Sequence, residues 1–164
     1  MIMTDIRETN IKLVQCFLDA LNRWDLDTIG SITTEDVVLE VPFRPDGFER
    51  RTEGKARYLE LLKQASTIMV DGSENLHDIE IDTFGSNPDK LVAQYKSAMK
   101  LHSGVDYSNE YVSLFSIRNG RICKFIEHLD SIKLFSALGG TLQSADPNGR
   151  DSVLPPLLSE VKSQ

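Results

Sequence analysis

Glu127, Glu110 and Tyr95 are the side chains whose types and placement could move or hold a proton. All three lie between Leu91 and Asp130, in LVAQYKSAMKLHSGVDYSNEYVSLFSIRNGRICKFIEHLD. Glu127 sits among Cys123, Phe125 and Leu129 at alternating positions. A carboxyl group in such company loses hydration, so its charged form is disfavoured and its pKa rises towards neutrality, where it serves as a general acid or base. A second carboxyl on the same face, Glu110, would push the two titrations apart, one holding its proton while the other acts as base. Tyr95 could donate a hydrogen bond to a substrate oxygen where charge builds. Each has a structural reading beside the functional one. Glu127 could pair with Arg50, Arg51 or Arg57 at a strand end, Glu110 could be solvated at a cavity mouth, and Tyr95 could be tethered to backbone.

What must position these groups is a pair of turns. Arg118-Asn119-Gly120-Arg121 carries a strong hairpin signal, because a two-residue type I′ turn needs positive φ, which Asn-Gly tolerates. Ser103-Gly104-Val105-Asp106 is a weaker candidate of type II′. The turns set the register, and the register sorts the side chains onto two faces. With Arg118 opposite Arg121, Val112 faces Glu127; with Ser103 opposite Asp106, Ser97 faces Val112 and Tyr95 faces Leu114. One face then holds Tyr95, Ser97, Met99, Leu101, Glu110, Val112, Leu114, Cys123, Phe125, Glu127 and Leu129. It is mostly apolar, as the lining of a small-molecule cavity is. Ser97, Met99, Val112, Leu114 and Phe125 are the expected substrate contacts on it, with Tyr58 added from a helix. The other face, with Lys96, His102, Asn109, Tyr111, Ser113, Phe115 and His128, is mixed and basic. A single bulge would undo this sorting.

The totals admit one domain with a sizeable core: 164 residues, 40% hydrophobic and 26% charged. A net charge of -7 disfavours nucleic acid and anionic membrane as partners. Cys16 and Cys123 lack CxxC spacing and read as small core residues. His77, His102, His128 and the carboxylates make no metal-ligand spacing, so neither metal nor organic cofactor is expected. Arg50-Arg51 reads as a solvated loop or as an anchor for an anionic substrate group. The opening MIMTDIRETN has no apolar core of a secretory signal, and no apolar run approaches the roughly 18 residues of a membrane span, so a cytoplasmic setting is expected.

Periodicity predicts helices over 5–22, 25–32, 55–69 and 131–138, and strands over 37–43 and 76–84 besides the central three. The loop 44–53, the Asp71-Gly72 stop and the turn at 85–89 separate them. Helices gathered at one end and strands at the other give an α+β fold: a long curled, mainly antiparallel sheet wrapped around the N-terminal helices, with a cone-shaped cavity between. The domain is expected over 1–140, with 141–164 as a polar, proline-bearing extension.

Three stretches resemble the nuclear transport factor two-like superfamily of SnoaL-like cone folds: FLDALNRWDLDTIGSITTEDVVLEVPF, EGKARYLELL and YVSLFSIRNGRICKFIEHLD. Tyr107-x-Asn109-x-Tyr111, followed by Leu134-x-x-x-Leu138-Gly139, is most similar to the phenazine-biosynthesis A/B proteins. The resemblance covers residues 7–140 and implies isomerase, cyclase, dehydratase or non-catalytic binding functions. It also implies a homodimer through the outer sheet face and a pocket glutamate at Glu127. The histidine and serine on the third helix of the phenazine proteins fall here on Leu61 and Ala65. The expected function is acid–base isomerisation, cyclisation or dehydration of an apolar natural-product intermediate; the alternative is a ligand-binding or assembly module.

Overall fold

The computed structural model of this chain describes residues 2–45 and 47–141. The extension expected at 141–164 lies, beyond its first residue, outside the described residues.

Helix α1 (Ile2–Leu21) buries Val14, Phe17 and Leu18 along one face, as their spacing requires. In the turn after it, Trp24 has a φ of 51°, the left-handed conformation that lets the chain double back. Asp25 then caps α2 (Leu26–Ile32): its carboxylate accepts the Thr28 amide at 3.0 Å and the Thr28 hydroxyl at 2.7 Å. Strand β1 (Thr33–Glu40) follows at once and stops before Pro42, which has no N–H to continue a ladder. A short strand β2 (Arg51–Glu53) lies in the segment expected to be loop, paired antiparallel to β1. Helix α3 (Lys55–Ser66) starts after Gly54, whose φ of 89° is open to glycine. Strands β3 (Asn75–Phe84), β4 (Asn87–Lys100), β5 (Asp106–Arg118) and β6 (Arg121–Leu129) and helix α4 (Ser131–Ala137) complete the chain.

The strands form one curled, unclosed six-stranded sheet in the order β2-β1-β6-β5-β4-β3, antiparallel except where β1 runs parallel to β6. Helix α1 is tied to the far strands by polar contacts. Asn10, buried, donates to the Pro88 carbonyl at 2.9 Å, and Asn22 accepts the Leu76 amide at 2.8 Å. Phe17 meets Phe125 edge-on at 5.3 Å and Phe115 at 5.6 Å, while Tyr58 of α3 meets Phe125 at 5.5 Å. This aromatic cluster joins α1, α3 and the inner face of the sheet. Cys16, expected in the core, is exposed, because it sits on the solvent side of α1 next to Phe17.

The expected register fails in two places. The β5–β6 hairpin does turn at Asn119 and Gly120, both at positive φ, with Arg118 opposite Arg121. One step further, however, Ile117 pairs with Ile122 and Ser116 with Lys124, leaving Cys123 as a bulged residue. Glu127 therefore faces Ser113, not Val112. The β4–β5 connection is a five-residue loop, Leu101–Val105, instead of a two-residue turn. The loop closes on itself, the Leu101 amide donating to the Val105 carbonyl and the Gly104 amide to the Leu101 carbonyl, each at 2.9 Å. It also docks on a distant segment: the His102 amide donates to the Ile68 carbonyl at 3.0 Å and the Val70 amide to the Lys100 carbonyl at 2.8 Å. Tyr95 consequently faces Tyr111 and Ser97 faces Asn109.

Both slips displace the pairing by an odd number of residues, and each flips β5 relative to a neighbour. They cancel between β4 and β6. Tyr95, Met99, Phe125 and Glu127 thus share the inner face as expected, while β5 turns over. Tyr107, Asn109, Tyr111, Ser113 and Phe115 point inwards, and Glu110, Val112 and Leu114 point out.

Candidate functional site

Between α1, α3, α4 and the concave side of the sheet lies an apolar cavity of about 300 Å³. Glu127 is the carboxyl group in its deep wall. The glutamate keeps some accessible surface, and that surface borders the cavity; protein surrounds it on the other sides. Its burial pushes the carboxyl from 4.5 up to about 6, against the opposing effect of one hydrogen bond from Tyr95.

That hydrogen bond organises the site. The Tyr95 hydroxyl donates to Glu127 Oε1 at 3.1 Å and lies 3.0 Å from Ser113 Oγ. A phenol has one proton to give. With that proton on Glu127, Ser113 must be the donor to Tyr95. Glu127 Oε1 is thus fixed, and its second oxygen has no hydrogen bond among the described residues. Burial and the charge of Glu127 push the Tyr95 phenol well above its usual range, so it stays protonated while it holds the carboxylate.

Tyr111 stacks on Tyr95 with ring centres 4.9 Å apart. Its hydroxyl is 3.2 Å from both Ser97 Oγ and the Tyr107 hydroxyl. Buried Asn109 ties this second chain to the end of the sheet: its amide donates to the Tyr107 hydroxyl at 2.8 Å and to the Asp130 carbonyl at 3.0 Å, while its oxygen accepts the Asp130 amide at 3.0 Å. Asp130 in turn caps α4, accepting the Ile132 and Lys133 amides at 3.0 and 3.1 Å. Leu134, Ala137 and Leu138 of that last segment cover one end of the cavity. Asn109→Ala should therefore cost about 2 kcal/mol, the penalty for orphaning buried polar partners. Hydrogen exchange should show α4 losing protection before the rest of the sheet; uniform loss would disconnect the network from α4.

Around the opening, Trp24 donates from Nε1 to Glu74 Oε1 at 2.6 Å, and Arg57 holds Glu49 at 2.8 Å. Arg44 and Phe48 also line this rim. Among the described residues no group of three or more His, Cys, Asp or Glu side chains could hold a metal ion, and no helix is long and apolar enough to cross a membrane.

The sequence profile of the SnoaL-like domain matches residues 14–125. This chain belongs to the SnoaL-like domain family. The match ends at Phe125, two residues before Glu127 on the same strand. A relative, the uncharacterized protein YesE of Bacillus subtilis (strain 168), is 22% identical over 134 residues, covering 77% of this chain and 84% of YesE. Among solved structures, the phenazine biosynthesis-related protein PhzB2 of Pseudomonas aeruginosa superposes with a TM-score of 0.70 at 16% identity, covering 92% of this chain and 97% of that one. A LEH-like epoxide hydrolase of M. tuberculosis gives a TM-score of 0.57 at 22% identity, covering 80% and 90%. These likenesses establish the α+β cone of the nuclear transport factor two-like fold.

In this SnoaL-like domain the residues singled out from sequence divide cleanly. Tyr95, Glu127, Tyr58, Met99 and Phe125 line the cavity. Ser97 is buried beside it, engaged with Tyr111. Glu110, Val112 and Leu114 do not reach it, because β5 is turned over. Glu110 is exposed opposite Lys96 on the outer face, in an open depression of about 700 Å³ that also includes Val112 and His128. Glu110 and Glu127 thus stand on opposite faces of the sheet. Arg51 is exposed and held by Glu40 and Glu53, so the rim cation is Arg44 instead. Asn109, Tyr111, Ser113 and Phe115 are the inner residues that the expected register puts outside, and Tyr107 joins them. Their signal was present: Tyr107, Tyr111, Phe115 and Ile117 share one parity, and four large side chains at alternate positions mark a buried face.

Proposed function

We propose that this SnoaL-like domain is a small-molecule enzyme in which Glu127 moves a proton on an apolar substrate held in the cavity, in an isomerisation, cyclisation or dehydration beside a carbonyl group. One observation carries the reading. Of the three carboxyl groups in the lining, Glu74 is engaged by Trp24 and Glu49 by Arg57, while Glu127, raised to about 6 by burial, has one oxygen fixed by Tyr95 and the other without a partner among the described residues. A base poised near the working pH combines the correct protonation state with useful driving force. The same reading takes the outer sheet face, with Val112 40% exposed, as the surface on which a second copy packs.

The test is proton exchange on a model ketone. With 2-tetralone in deuterated buffer, the protein should accelerate deuterium uptake at the carbon next to the carbonyl. A base must be ionised, so the rate should rise with pH through about 6 and level off above it. A profile that falls through this range would make Glu127 the acid; no acceleration at any pH would remove the proton-transfer reading. A ligand-binding module is the second reading, favoured by the apolar Leu61 and Ala65 on the α3 side of the cavity. It expects binding without exchange.

A further inference from the structure

Tyr58 is 1% exposed, stands at the cavity wall and packs against Phe125. Its hydroxyl is buried and has no hydrogen-bond partner among the described residues. The other phenols of the cavity are all engaged: Tyr95 by Glu127 and Ser113, Tyr111 by Ser97 and Tyr107, and Tyr107 by Asn109. An orphaned buried donor carries its full desolvation penalty, and phenylalanine would fill the same space without it. A tyrosine kept at that cost points to a partner that arrives from outside the chain.

We infer that Tyr58 is the hydrogen-bond donor for an oxygen of a largely apolar ligand, and that this oxygen is an uncharged, carbonyl-type acceptor. Charge decides the class. A carboxylate at Tyr58 would stand beside the Glu127 charge, whereas Arg44, whose Nε is buried without a partner among the described residues, lines the same cavity and is the group left for any anionic part of the ligand. A neutral acceptor oxygen satisfies Tyr58 and leaves Glu127 undisturbed. The phenol is well above its usual range, through burial and the nearby carboxylate, so it donates a hydrogen bond without giving up its proton. Tyr95 cannot fill this role, because its one proton is already committed. The Tyr58 hydroxyl is covered, and a ligand oxygen reaches it by a side-chain shift of the kind binding commonly causes.

For the chemical step this inference rests on the reading of Glu127 as base. Glu127 takes the proton from the carbon beside the carbonyl. The C–H electron pair becomes the new C=C bond, and the C=O pair moves onto oxygen. Tyr58 stabilises that oxygen and keeps its own proton, and the proton on Glu127 returns to carbon when the double bond shifts back or onward.

The experiment compares 2-tetralone with tetralin, the same skeleton without the oxygen, for binding to the whole protein and to Tyr58→Phe. The preference of the protein for ketone over hydrocarbon should fall about tenfold in Tyr58→Phe. The carbonyl stretch of bound 2-tetralone should move to higher frequency in the variant, as a hydrogen bond to it is lost. Without ligand, Tyr58→Phe should melt at the same temperature as the parent or higher, since no internal hydrogen bond is removed. An unchanged preference in Tyr58→Phe overturns the assignment, as does failure of the parent to bind the ketone. A preference lost in Glu127→Gln but kept in Tyr58→Phe also overturns it, by making a protonated Glu127 the donor. If Glu127→Gln exchanges deuterium as fast as the parent while Tyr58→Phe still loses its preference, the base reading fails and the Tyr58 site stands.

Discussion

Glu127→Gln should slow deuterium uptake by 2-tetralone at least about 100-fold, the lower end of what a positioned general base contributes. Glutamine keeps the volume and can still accept from Tyr95, so the loss isolates the proton acceptor from the shape of the cavity. The same substitution should stabilise the protein at neutral pH. An ordinary glutamate titrates near 4.5 and Glu127 in the folded chain near 6. Below the lower value both states carry the proton and nothing is lost. As pH rises from 4.5 through 6 the unfolded chain releases its proton first, and folding must then hold a buried charge. The parent therefore loses about 2 kcal/mol across this window, and Glu127→Gln does not. Melting curves should diverge with rising pH and converge in acid. Turnover unaffected by the substitution would end the catalytic role, whatever the melting curves do.

Phe17→Ala should cost about 3–5 kcal/mol, a large part of the stability of a domain this size. Phe17 is 1% exposed and contacts Phe115 and Phe125 at once, so truncation leaves a cavity between α1 and two central strands. The site should suffer with the fold. Phe125 is two residues from Glu127 on the same face of β6 and is also the surface on which Tyr58 rests. A denaturant midpoint barely changed by Phe17→Ala would mean that the aromatic cluster is not what joins helix to sheet.

Much of this arrangement was legible because it is local. The 3.6-residue spacing of Val14, Phe17, Leu18 and Leu21, the cap at Asp25 and the positive-φ pair Asn119-Gly120 depend only on neighbours along the chain. So does the parity that puts Glu127 on the side of Phe125, since alternation within one strand needs no partner. The orientation of β5 was different. It depends on the length of the Leu101–Val105 loop, which docks on the backbone of residues 68–70, and on the bulge at Cys123. Neither leaves a mark at the turn itself.

From its residues alone the chain determines an α+β cone with helices at one end, a central hairpin, and a carboxyl group and Tyr95 on one apolar face. Those features follow from side-chain period and turn conformation, which are properties of adjacent residues. Only the tertiary structure decides that Glu110 faces solvent, that Tyr95 spends its proton on Glu127, and that the Tyr58 hydroxyl has no partner among the described residues. Each of these depends on which distant strand or helix stands opposite, and an odd slip in pairing is enough to reverse it.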